Sequence, residues 1–277
     1  MINWTLSSFR KGGSCLLLLL CCIVALVHNS CMREGKRVKS NYIREIQIDW
    51  SEISKESYLR RIPALSGMEN LEFDSPVTIF CGENGTGKST LLEAIASAAG
   101  FNPEGGSKNY LFSTHADYSE LNDAIRLVRG IRREQWGYFF RADSFFNVAT
   151  AEEEYGKLSM RGSARYHYMS HGESFLKLMQ DSLSGDGLFL LDEPDVALSP
   201  LRQMTMLYEI CRTVKEGAQF IIATHSPILL GIPDAQILSF DGGSVHPITY
   251  EETDSYRIMK GFLNDRERYL KNLLSED

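Results

Sequence analysis

The nonapeptide Gly82-Glu83-Asn84-Gly85-Thr86-Gly87-Lys88-Ser89-Thr90 has residue types and spacing suited to holding anionic oxygens. Glycines at these places can take positive φ, so successive backbone N–H groups turn inward and line a concavity. Lys88 adds a point charge for β- and γ-phosphates, and the Ser89 hydroxyl suits a Mg²⁺ ion. The apolar run Val77-Thr78-Ile79-Phe80-Cys81 before it reads as a strand, and Leu91-Leu92-Glu93-Ala94-Ile95-Ala96 after it as a helix. That helix presents its positive end to the same oxygens. The alternative, a glycine-rich turn that only caps a helix, is disfavoured by this context and by the rarity of the pattern at average residue usage.

Two strand ends downstream carry complementary groups. Gly187-Leu188-Phe189-Leu190-Leu191 reads as a buried central strand ending in Asp192 and Glu193, and ligands gather at the carboxyl ends of such strands. Asp192 is placed to hold Mg²⁺, directly or through water, and Glu193 to polarise a water that attacks the γ-phosphate. Alone, the pair would also fit an acidic turn; beside a P-loop it reads as catalytic. Phe220-Ile221-Ile222-Ala223-Thr224 is a second such strand, with His225 at its end. A lone histidine is usually an ordinary core or surface residue, but there a neutral imidazole could contact the γ-phosphate and sense its loss. Ser170-His171-Gly172-Glu173-Ser174 opens an expected helix, Phe175 to Leu183. Its hydroxyl and N–H groups form either a plain cap or a second anion site. Because Lys88 already serves one nucleotide, such a second site most economically serves the nucleotide of another subunit.

With these residues in order, the chain resembles the ABC-type ATPase superfamily, specifically the soluble "predicted ATPase, AAA family" proteins related to SMC and RecF ATPases. The resemblance covers roughly Tyr42 to the C-terminus. It rests on a Walker A (Gly82 to Ser89), a signature-like Ser170-His171-Gly172-Glu173, a Walker B (Leu188 to Asp192) with Glu193, a D-loop-like Ala197 to Pro200, and His225. It implies an α/β fold with a mostly parallel central sheet flanked by helices, an N-terminal antiparallel β edge and a small helical subdomain at about residues 100–185. It also implies Mg²⁺-dependent ATP hydrolysis by an ATP-sandwiched homodimer. In that reading Lys88, Glu193 and His225 are catalytic, and Ser89 and Asp192 hold the metal. Gly82 to Thr90 bind the nucleotide, and Ser170, Gly172 and Glu173 complete the partner's site. The sequence departs from the pattern at His171, where a glycine is usual, and at Glu173, where transporters have glutamine. No Q-loop glutamine follows Gly137-Tyr138-Phe139-Phe140; Arg141 or Asp143 occupies that region. The interval from Lys88 to Ser170 is too short for the coiled-coil insert of SMC proteins.

The remaining chain sets the frame. At 277 residues and 43% apolar content it can bury one large core. A net charge of −7 disfavours wrapping of nucleic acid as its dominant property but leaves room for a local basic patch. Tyr42 to Trp50 alternates as a strand, Leu71-Glu72-Phe73 is a second short one, and Tyr58 is either a packing residue or an adenine platform. Gly100 to Ser107 reads as a loop, and Ser119 to Arg133 as a helix ending in the basic cluster Arg126, Arg129, Arg132 and Arg133. Trp136 to Phe140 reads as another strand. Ile237 to Phe240 and Val245 to Ile248 flank Asp241-Gly242-Gly243 as a hairpin, and Tyr250 to Leu274 reads as an amphipathic helical tail. Tyr256, Met259, Phe262, Tyr269 and Leu273 are its expected packing positions.

Residues 1–31 contain Arg10, Lys11 and the apolar run Cys15 to Val27, with the form of a signal-peptide core. The favoured expectation is an upstream extension of a cytoplasmic protein starting at Met32, ahead of a cytoplasm-facing anchor or export. Three outputs of the ATPase stay open: DNA maintenance or defence with a DNA or protein partner, a membrane transporter, and a nucleotide-gated binding module. A stable transporter partner is disfavoured by the missing glutamine.

Overall fold

A computed structural model describes residues 41–108, 119–142, 177, 179–183, 185–196 and 198–275, all within one compact unit, Lys39–Asp277. The fully apolar runs become the centre of a seven-stranded sheet. β3 (Val77–Cys81), β7 (Gly187–Asp192) and β8 (Gln219–Ala223) are buried along their whole length, as parallel strands covered on both faces must be. They join β4 (Gly106–Ser107), β6 (Trp136–Arg141), β9 (Gln236–Ser239) and β10 (His246–Ile248) in the order β10-β9-β3-β8-β7-β6-β4. The five central strands run parallel, and the two edges are antiparallel.

Successive side chains of these strands point into two different cores. Leu188, Leu190, Ile221 and Phe80 face α1 (Lys88–Ala99), while Phe189, Leu191, Phe220 and Ile222 face α3 (Pro200–Lys215) and α4 (Pro227–Leu230). Beyond α1 lies a second, antiparallel sheet in the order β2-β1-β5, made of β1 (Ile43–Ile48), β2 (Asn70–Glu72) and β5 (Ile125–Arg129). The two sheets are stitched by the buried amide of Gln219, which accepts from Ile43 N at 2.9 Å and donates to Ile43 O at 2.8 Å.

The expected helix over Ser119 to Arg133 is corrected. Only α2 (Glu120–Ala124) is helical, capped by Ser119; at Ile125 the backbone becomes extended and β5 pairs with β1. The pairing and the β-branched Ile125 and Val128 override the helical spacing of Leu121, Ala124 and Ile125. Gly130 closes this pair, since a Cβ there would stand 2.0 Å from Asn41 O. The arginines therefore do not sit at a helix end. Arg126 lies 3.9 Å from Asp49, Arg129 bonds Glu134 at 2.7 Å, and Arg132 bonds Asp186. Strands β5 and β6 fall inside the interval 100–185 assigned to a helical subdomain, of which residues 143–176 lie outside the described residues. The Gly100 to Ser107 loop ends in the short strand β4.

The hairpin β9–β10 forms as expected. The tail is helical, as α5 (Asp254–Asn264) and α6 (Arg266–Leu274), but neither helix buries a residue. Of the expected packing positions, Tyr256 and Phe262 are half-buried, while Met259 and Leu273 are corrected: both are exposed, the latter at 80%. The two helices pack on each other through Phe262 and Tyr269 and reach the body near Tyr250, whose hydroxyl donates to Pro227 O at 2.9 Å. Among the described residues no helix is long and apolar enough to cross a membrane.

Candidate nucleotide site

Parallel register brings the predicted groups to one edge of the sheet. Phe80 aligns with Ala223, Ala223 with Asp192, and Asp192 with Arg141, so four strands deliver their ends side by side. The loop after β3 wraps over this edge and enters α1 through Gly87, whose φ is +100°. A side chain at Gly87 would also collide with Ile62 at 2.9 Å, so glycine is needed for both conformation and space.

Lys88 is only 4% exposed, and its Nζ donates to Gly82 O at 2.7 Å and Glu83 O at 2.8 Å. Burial lowers its pKa, against the opposing pull of Glu193, Asp241, Cys81 and Asp192. Thr86 Oγ1 donates to Glu83 O at 2.8 Å, which tightens the loop around the same carbonyl. Below it, burial first and then Asp241 push the Cys81 thiol up to about 12, so it stays protonated and inert.

Ser89 Oγ donates to Asp192 Oδ1 at 2.9 Å, joining the start of α1 to the end of β7. A hydroxyl and a carboxylate are the hard oxygen donors that Mg²⁺ takes, so this pair fits the ion. Among the described residues no group of three or more His, Cys, Asp or Glu side chains is gathered to hold a metal. Glu193 follows with φ +47°, a left-handed backbone that is unusual for a non-glycine residue, and its N–H donates to Ala223 O at 2.9 Å. Glu83, Asn84 and Gly85 are exposed at the loop crest, and Thr90 is half-buried in the first turn of α1.

His225 is half-buried. Its Nε2 is fully covered yet has no hydrogen-bond partner among the described residues. Its neighbours are tied down: Thr224 Oγ1 donates to Asp195, and Ser226 Oγ donates to Gln203 Oε1 at 2.7 Å. Gln203 Nε2 donates to Leu198 O at 3.0 Å, so the strand ends holding His225 and Glu193 are linked through the first turns of α3. Arg141, opposite Asp192 in register, donates to Glu93 Oε2 and Pro103 O, each at 2.9 Å. Tyr58 lies in the 3₁₀ turn Tyr58–Arg61 and is 55% exposed, so it is no core residue.

The expectations on Ser170, His171, Gly172 and Glu173, and on Ala197, lie outside the described residues. Sequence reasoning missed the roles of Thr224, Asp195, Gln203 and Asp241. Only Asp241 carried a signal, as an acid at a strand end before two glycines.

The mostly parallel sheet, with its glycine-rich loop leading into α1 and carboxylates at the neighbouring strand end, is an α/β fold of the P-loop kind, and the chain is similar to AAA-domain and ABC-type ATPases. A family model described as an AAA domain matches residues 59–165. A second, described as an AAA domain, putative AbiEii toxin, Type IV TA system, matches residues 174–231. The chain is 26% identical over 184 residues to the cytochrome c biogenesis ATP-binding export protein CcmA of Roseobacter denitrificans, covering 64% of this chain and 83% of that protein. Similar solved structures include the SMC head domain from Thermotoga maritima, at 16% identity and a TM-score of 0.41, covering 75% of this chain and 98% of that one. An ATP-binding cassette of an ABC transporter in its ADP conformation has 16% identity and a TM-score of 0.41, covering 85% and 99%.

Proposed function

We propose that the chain binds ATP with Mg²⁺ in the loop Gly82 to Thr90 and hydrolyses it as an ATP-sandwiched homodimer. The observation that carries this reading is the 2.9 Å hydrogen bond from Ser89 to Asp192, which ties the phosphate loop to the strand ending in Glu193. On binding, Lys88 exchanges two loop carbonyls for phosphate oxygens, a charge-assisted contact. Glu193 acts as the general base for the attacking water, and His225, whose Nε2 has no partner among the described residues, contacts the γ-phosphate. Ser89 and Asp192 would hold Mg²⁺, which would supply positive charge to offset that of the phosphates. In the dimer, the Ser170-His171-Gly172-Glu173 segment of one protomer covers the nucleotide held by the other.

The likeness to CcmA, named as an export protein, favours a second reading in which the chain drives a transporter. Against it stands Arg141 beside Asp192, bonded to Glu93 and Pro103. Of the arginines near β5, Arg129 and Arg132 are bonded to carboxylates and lend no support to DNA as the recipient of the cycle.

Sizing with and without ATP and Mg²⁺ tests the composite site. Glu193→Gln should run as a dimer only with the nucleotide, and Lys88→Ala as a monomer throughout. A Glu193→Gln protein that stays monomeric at saturating ATP would rule out the sandwich.

A further inference from the structure

We infer that Asp241 is a positioning residue for the phosphate loop, holding it from the far end of the chain. The inference rests on the nucleotide-binding reading above. β9 runs parallel to β3 with Ser239 opposite Cys81, and Phe240 N donates to Cys81 O at 2.8 Å. The two chains leave the sheet together, which brings Asp241 beside the first residues of the loop. Glu83 N donates to Asp241 Oδ1 at 2.9 Å. The carboxylate is itself oriented: Asp241 N donates to Ser239 Oγ at 3.2 Å, and Ser239 Oγ reaches Oδ2 at 3.5 Å.

Gly82 makes room for this approach. Its φ is +136°, and a Cβ there would stand 3.0 Å from Asp241 Oδ1 and 3.1 Å from Oδ2. From the other side Lys88 Nζ grips Gly82 O and Glu83 O. The same two residues are therefore held by a cation at their carbonyls and by an anion at an amide. When Lys88 turns to the phosphates its grip is released, and the bond from Glu83 N to Asp241 keeps the loop in shape.

The charge of Asp241 works against this role. A carboxylate beside a phosphate site repels the ligand, while its hydrogen bond preorganises the loop. The two effects have opposite signs, so substitutions can separate them. In Asp241→Asn the amide oxygen still accepts from Glu83 N and the charge is gone; in Asp241→Ala both are lost.

The experiment titrates the parent, Asp241→Ala and Asp241→Asn with a fluorescent ATP analogue and Mg²⁺, alongside steady-state kinetics and nucleotide-free thermal unfolding. Asp241→Ala should bind about fivefold more weakly than Asp241→Asn, the loss expected for one hydrogen bond at equal charge, with the change in KM rather than kcat. Asp241→Asn should bind at least as tightly as the parent. Asp241→Ala binding as tightly as Asp241→Asn, or Asp241→Asn binding more weakly than the parent, would overturn the inference. Should Asp241→Ala fail to fold, Asp241→Asn alone decides, and weaker binding than the parent refutes the role. A folded parent that does not bind the analogue refutes the nucleotide reading itself, an outcome distinct from the others.

Discussion

Glu193 holds a backbone conformation that its side chain opposes. Its φ of +47° places it in the left-handed region, fixed by the bond from its N–H to Ala223 O. Such a seat costs a non-glycine residue roughly 1–2 kcal/mol, and strain of this kind concentrates at functional sites. Glu193→Gly should accordingly be more stable than Glu193→Ala by about 0.5–1 kcal/mol, the relief of strain exceeding the entropy that glycine loses on folding. Thermal unfolding of the two variants checks this; an alanine variant as stable as the glycine one would mean the seat is unstrained. The groups of the candidate site were readable in sequence because a phosphate loop needs Gly82 to Ser89 consecutively, and Asp192 and Glu193 end one apolar run. Asp241 was not, since its contact with Glu83 spans 158 residues and an acid before two glycines reads first as a turn.

The elements that position these groups divide by how local their causes are. β3, β7 and β8 were readable as strands because covered parallel strands need unbroken apolar runs. β5 was not, because Leu121, Ala124, Ile125 and Val128 fit a helical period and only the partner strand β1 decides otherwise. Gln219 is a similar case: a single amide, 1% exposed, that pairs with both backbone groups of Ile43 and joins the two sheets. Its removal leaves two buried backbone groups without partners, so Gln219→Ala should cost about 2–4 kcal/mol, a fall of roughly 5–10 °C in Tm for a domain of this size. Differential scanning calorimetry is the check, and a shift below about 1 °C would show that the amide is not the joint.

Across the whole molecule, two sheets enclose α1, and the long sheet carries α3 and α4 on its other face, so every strand end of the site is anchored in a core on both sides. The rigid edge lets side chains from Lys88 to His225 converge without a contiguous sequence. The tail was legible as helix but not in its packing: amphipathic spacing in α5 and α6 shows where apolar residues line up, not whether another surface covers them. The central claim is that this edge hydrolyses ATP, and phosphate release by the purified chain with ATP and Mg²⁺ tests it most directly. The parent should turn over, with Glu193→Gln slower by about 100-fold or more, in line with loss of a general base. Turnover by Glu193→Gln at the parent rate, or none by a well-folded parent, would contradict the account.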